Sequence, residues 1–110
     1  MNIIQEAHEN VMVLALSGRL DTLNFQTLDN TITELLQNDH KNFILDCQEM
    51  DYVSSSGLRI LLKALKQVKA SGGRLLICGL QAEIVKIFKI SGFNNLFETF
   101  PGKTEALSAF

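Results

Sequence analysis

The 110-residue sequence predicts an α/β fold, a mixed and mostly parallel sheet of four to five strands opened by an antiparallel hairpin, with about four helices packed beside it. Three observations predict it. Segments with the alternating or continuous apolar pattern of strands are interleaved with segments whose apolar residues recur every three to four positions. The first two strand-like segments are joined by too short a connection to run parallel. Two nearly continuous apolar runs flank one amphipathic helix, the order of a parallel crossover, which is right-handed in nearly all cases.

The hairpin is "NIIQEAHE" followed by "NVMVLALSG", with the connection at His8 to Asn10. From Asn24 to Gln37, Phe25, Leu28, Ile32, Leu35 and Leu36 recur at helical spacing, and Asp21, Thr22 and Asn24 are available as caps. "NFILDC" and "RLLICGL" read as central strands covered on both faces. Between them Leu58, Leu61, Leu62, Leu65 and Val68 form an apolar stripe, Arg59, Ile60 and Lys63 lie off it, and Gly72 and Gly73 end the helix. A third helix is expected over Ala82–Ser91, capped by Gly92 in the left-handed conformation with Phe93 folding back. "NLFETF" adds a short strand, and beyond Pro101 and Gly102 "KTEALSAF" forms a terminal helix. A chain of this length supports one core, so residues 1–110 are expected to form a single domain.

Composition excludes several function classes. With 46% hydrophobic and 20% charged residues and a net charge of -2, the chain reads as an ordinary globular protein. Its ten Lys and Arg are scattered among twelve Asp and Glu, without the basic, aromatic-interleaved stripe of a nucleic-acid binder. No apolar run is long enough to insert in a membrane, and no export signal is visible, so the cytoplasm is the expected compartment. Cys47 and Cys78 lie far apart inside apolar runs and are expected to be buried reduced thiols.

"YVSSSGLRIL" places three serines and a glycine where a central strand meets a helix, the usual location of functional loops in open α/β sheets. The loop "SGRLDTLN" is expected at the same end of the sheet. A phosphate-cradling GxxxxGK[ST] loop and a GxSxG nucleophile elbow are both missing, so neither NTPase nor serine hydrolase chemistry is expected. Asp21, Asp46, Glu49 and Asp51 suit a cap and a solvated turn better than a metal site, and no cofactor is implied. Three serines suffice to cap a helix. A hydroxyl in the first helical turn can also be a substrate, because a phosphate there meets free backbone amides and the positive end of the helix dipole.

The stretches "SGRLD", "FILDCQEMDYVSSSGLRIL", "GGRLLICGL" and "VKIFKISGFNNLFETF", in that order and spacing, resemble a STAS domain of the anti-sigma factor antagonist type over nearly the whole chain. The resemblance implies the STAS fold and a regulatory binding protein rather than an enzyme. It implies a partner, an anti-sigma factor with serine kinase activity, that binds the unphosphorylated antagonist and thereby frees a sigma factor. Phosphorylation ends that complex, and a PP2C-type phosphatase restores it. By position the phosphorylated residue is Ser56, with Ser55 the second choice, and Asp21 matches the family's G-x-L-D loop. Ser54 stands where the best-known members have aspartate. The implied contact surface comprises Asp21, Thr22, Asn24, Ser54, Ser55, Ser56, Gly57, Arg59, Ile60 and Lys63. Two other readings are a constitutive STAS subunit of a transporter or signalling assembly without a phospho-switch, and a module that binds a nucleotide or small anion at helix amides.

Overall fold

The computed structural model describes residues Met1–Phe110. Its elements run β1 (Asn2–His8), β2 (Val11–Leu20), α1 (Phe25–Gln37), β3 (Asn42–Val53), α2 (Ser55–Ala70), β4 (Arg74–Cys78), α3 (Ala82–Ser91), a 3-10 turn (Phe93–Asn95), β5 (Glu98–Phe100) and α4 (Lys103–Ser108). The strands lie in sequence order in one five-stranded sheet, β1 antiparallel to β2 and every other pair parallel. The expected mixed sheet with its opening hairpin and four helices is therefore present. The hairpin turns through Glu9, whose φ of 55° is the left-handed geometry of a tight β-turn.

Side-chain alternation sends one set of strand residues to each face of the sheet. Met12, Leu14 and Leu16 of β2, Phe43, Leu45 and Cys47 of β3, and Leu75 and Ile77 of β4 join a 22-residue core with Leu28, Ile32 and Leu35 of α1, Leu61, Leu65 and Val68 of α2, and Ile84 and Phe88 of α3. Val11, Val13, Ile44, Leu76 and Cys78 point the other way and are covered by Ala106 of α4 in a smaller, six-residue cluster. The central strands are thus covered on both faces, as their continuous apolar runs require. Gly92 ends α3 with φ 80°, and Phe93 packs edge-on against Phe88, their ring centroids 5.6 Å apart.

Three local expectations need correction. β3 does not stop at Cys47 but continues through the mixed stretch "QEMDYV" to Val53, because β2 is ten residues long and keeps pairing with it, Ser17 with Glu49 and Leu20 with Val53, across two register shifts. No side chain caps α1. Asn24 stands at its N-cap position, but its Oδ1 accepts from the Asp21 amide instead. The buried face of α2 is Gly57, Ile60, Leu61, Ala64, Leu65 and Val68, so Ile60 is a core residue, 8% exposed, whereas Leu58 and Leu62 sit at the margin.

Candidate functional site

The serine segment is shorter than a loop. Ser54 alone separates β3 from α2, and its amide extends the sheet ladder by donating to the Leu20 carbonyl at 2.9 Å. Ser54 is then the N-cap of α2: its backbone is extended and its Oγ accepts from the Gly57 amide at 3.1 Å. That bond satisfies one of the four amides a helix start leaves without an acceptor, and the Leu58 amide takes the Ser54 carbonyl at 2.9 Å. Ser55 and Ser56 are consequently the first two helical residues, Ser55 exposed and Ser56 half-buried.

Gly57 explains why α2 begins so close to the sheet. A Cβ on it would stand 2.7 Å from the Leu20 carbonyl oxygen, 2.8 Å from Val53 Cγ2 and 2.9 Å from Leu20 Cγ. Only glycine allows the first turn of the helix to rest on the ends of β2 and β3, and that contact sets the rotation which buries Ile60.

The segment after β2 is held by its own side chains. Asp21 Oδ1 accepts from the Leu23 amide at 3.0 Å, Asn24 Oδ1 accepts from the Asp21 amide at 2.9 Å, and the Asn24 side-chain amide donates to the Arg19 carbonyl. The Phe25 amide closes the turn on the Asp21 carbonyl at 2.8 Å. These are the Asx-type bonds by which Asp and Asn stabilise turns. They carry Thr22 to α2, where its Oγ1 lies 3.2 Å from Ser56 Oγ. Seven residues further along each segment, Lys63 Nζ donates to Asp29 Oδ2 at 2.8 Å, tying α2 to α1.

Of the residues singled out from the sequence, Asp21, Thr22, Asn24 and Ser54–Gly57 meet at this one end of the sheet. Arg59 and Lys63 project from the exposed side of α2, while Gly57 and Ile60 face inward. Three neighbours were not expected. Leu23, at the tip of the Asp21–Asn24 turn, is 94% exposed. Arg19 lies over the Tyr52 ring at 3.9 Å, and its Nε donates to Asp21 Oδ2 at 3.3 Å. Their sequence signals were weak: a leucine in a polar turn, and two residues brought together by a strand register that depends on the length of β3. Asp29, an acid on the buried side of α1, carries no local sequence signal either; its carboxylate accepts from Lys63 across the helix pair and from Gln26 Nε2 at 3.3 Å.

The concavities of the surface lie elsewhere. The largest, about 630 Å³, is lined by Ala7, His8, Glu9, Asn10, Val11, Asn42, Leu107 and Phe110, beside the hairpin turn. Two smaller ones border Ile4, Ser17 and Asp46 and, on the other side, Leu80 and Pro101. None of the three is lined by Thr22, Ser54, Ser55 or Ser56.

A family model described as STAS domain matches residues 2–106. BtrV of Bordetella bronchiseptica, named as a candidate anti-sigma factor antagonist, is 27% identical over 110 residues, covering 100% of this chain and 95% of its own. Among solved structures, a candidate anti-sigma factor antagonist of Thermotoga maritima superposes with a TM-score of 0.93 at 14% identity, over 97% of this chain and 92% of its own. The Bacillus cell fate determinant SpoIIAA in its phosphorylated form superposes with a TM-score of 0.77 at 19% identity, over 98% of both chains.

Proposed function

The chain belongs to the STAS domain family, and from that premise we propose that it is an anti-sigma factor antagonist switched by phosphorylation of Ser56. As a single regulatory domain in the cytoplasm, the unphosphorylated chain binds an anti-sigma factor with serine kinase activity and so releases a sigma factor. The kinase modifies Ser56, the complex separates, and a PP2C-type phosphatase resets the chain. The protein catalyses nothing itself.

The observation that carries this reading is the division of labour among the three serines. Ser54 is committed to the cap, which leaves Ser56 in the first turn of α2 with its hydroxyl at the surface, opposite Thr22. A phosphate there is tolerable to the fold. The amides of Ser55 and Ser56 have no intrahelical acceptor, and the helix N-terminus favours negative charge. It is not tolerable to a docked protein. About two negative charges would have to be desolvated within the contact formed by the Thr22–Asn24 turn, Ser55, Ser56, Arg59 and Lys63. The naming of BtrV as a candidate antagonist and the existence of a phosphorylated form of SpoIIAA support the same assignment.

The test is phosphopeptide mapping after incubation with ATP and the cognate kinase, together with partner binding by Ser56→Asp. Phosphate at Ser56 is expected, and S56D should weaken the complex by at least roughly 30-fold with a native circular dichroism spectrum. Phosphate confined to Ser54 or Ser55 would remove Ser56 as the acceptor, and an S56D protein that binds as tightly as the parent would replace the switch with a constitutive interface.

A further inference from the structure

We propose that Thr22 is the positioning residue that orients the Ser56 hydroxyl for phosphorylation. The proposal rests on the reading of Ser56 as the acceptor and adds a second residue, outside the serine segment, to the reaction.

The three serine hydroxyls have different freedom. Ser54 Oγ is fixed by the Gly57 amide. Ser55 is exposed and its hydroxyl makes no bond within the chain, so its side chain is free to exchange among staggered rotamers. Ser56 is held from outside its own helix, by Thr22 Oγ1 at 3.2 Å, a contact that spans 34 residues of sequence. Whichever hydroxyl donates, the bond selects one orientation of the Ser56 Cβ–Oγ arm. Thr22 is suited to this. Threonine is stiff at χ1, and the backbone on both sides of it is pinned by the Asp21 and Asn24 side chains and the Phe25 amide.

Orientation matters for the chemistry. Ser56 Oγ must attack the γ-phosphorus of ATP as the bond to the ADP oxygen breaks, while its proton passes to a base on the kinase. Nucleophile and leaving group lie nearly in line, and positioning supplies most of what catalysis requires. A hydroxyl already held in one rotamer enters that line without further ordering. This also separates Ser56 from the more exposed Ser55, which lacks such a partner.

The test compares the parent chain with Thr22→Val, which keeps the shape and removes the hydroxyl, and Thr22→Ser, which keeps the hydroxyl. In the free proteins, the Hα–Hβ couplings of Ser56 should report one rotamer for the parent and T22S, and an average for T22V. With the serine kinase that co-purifies with the chain from its own cells, and ATP, T22V should lower kcat roughly three- to tenfold, the value of one hydrogen bond, with KM unchanged and T22S restoring the rate. Equal kcat for T22V, an effect confined to KM, or phosphate found on Thr22 itself would overturn the role of Thr22 and leave Ser56 as the acceptor. A parent chain that takes no phosphate on Ser56 would remove both.

Discussion

Replacing Gly57 by alanine tests whether the site is built on a close backbone approach. The new methyl carbon would meet the Leu20 carbonyl oxygen at 2.7 Å and two further carbons under 3.0 Å, about 0.7 Å short of ordinary contact at its worst. The Leu20 oxygen cannot yield freely, since it accepts the Ser54 amide and terminates the β2–β3 ladder. The first turn of α2 must move instead. Overpacking of this kind costs about 1–3 kcal/mol, and the better helix propensity of alanine returns at most about 1 kcal/mol. A net loss of about 1–2 kcal/mol is expected. In urea, with m of about 2 kcal/mol/M for a domain of this size, the unfolding midpoint should fall by about 0.5–1 M without a change in m. Because the displaced turn carries Ser56, partner binding should weaken beyond what the lost stability explains. A G57A protein with an unchanged or higher midpoint would refute the close-approach reasoning.

Gly73 offers a sharper steric case: its Cβ would sit 1.7 Å from the Lys41 carbonyl oxygen, so Gly73→Ala should cost about 3 kcal/mol or more and lower yield, measured by the same unfolding midpoint. Lys63→Met should destabilise by about 1–2 kcal/mol, because Asp29, with 11% of its side chain exposed, is left without its charged partner; adding Asp29→Asn should recover part of the loss in a double-mutant cycle. Both thiols are buried and held well above the ordinary range, Cys78 pushed up to about 12, chiefly because burial disfavours the thiolate. They should therefore resist thiol reagents at pH 8 until the chain unfolds. With the folded pKa raised, stability is intact below the unfolded value near 9 and falls by about 1.4 kcal/mol per pH unit per thiol above it, a slope that equilibrium unfolding between pH 8 and 10 of the parent and a Cys47→Ala variant would measure.

The elements of the fold were legible because each is governed by local pattern. The continuous runs of β3 and β4, the stripes of α1 and α3, and Gly92 at the end of α3 each state their conformation without reference to the rest of the chain. Two local judgements failed for the same reason, that the deciding contact is distant. β3 looks finished at Cys47 until β2 is known to extend beside it as far as Leu20. On α2, the apolar residues at positions 58, 60, 61, 62, 64, 65 and 68 cover more than half the circumference, so periodicity cannot choose the buried centre. The seating of Gly57 on Leu20 and Val53 chooses it, and Ile60 goes inward. The address of the site was legible from the strand–helix junction. Its internal wiring was not. Thr22 with Ser56 and Asp29 with Lys63 are pairs 34 residues apart, and nothing in the local sequence couples them.

The unequal faces of the sheet divide the molecule into a durable part and a detachable one. α4 is six residues long, rests on the smaller cluster through Ala106 with Leu107 and the following Ala109 packed beside it, and is otherwise held by groups at the surface: Arg74 donating to the Ala109 carbonyl, and Lys103 to Glu6. Local opening begins where few apolar contacts must be broken, so the C-terminal helix is the first segment to exchange its amide protons with solvent. Its release exposes Val13, Ile44 and Leu76 while the larger core, and with it the junction of β2, β3 and α2, stays closed. Fraying at the C-terminus and the proposed modification of Ser56 thus draw on separate reserves of stability, one in the smaller cluster and one in the larger core.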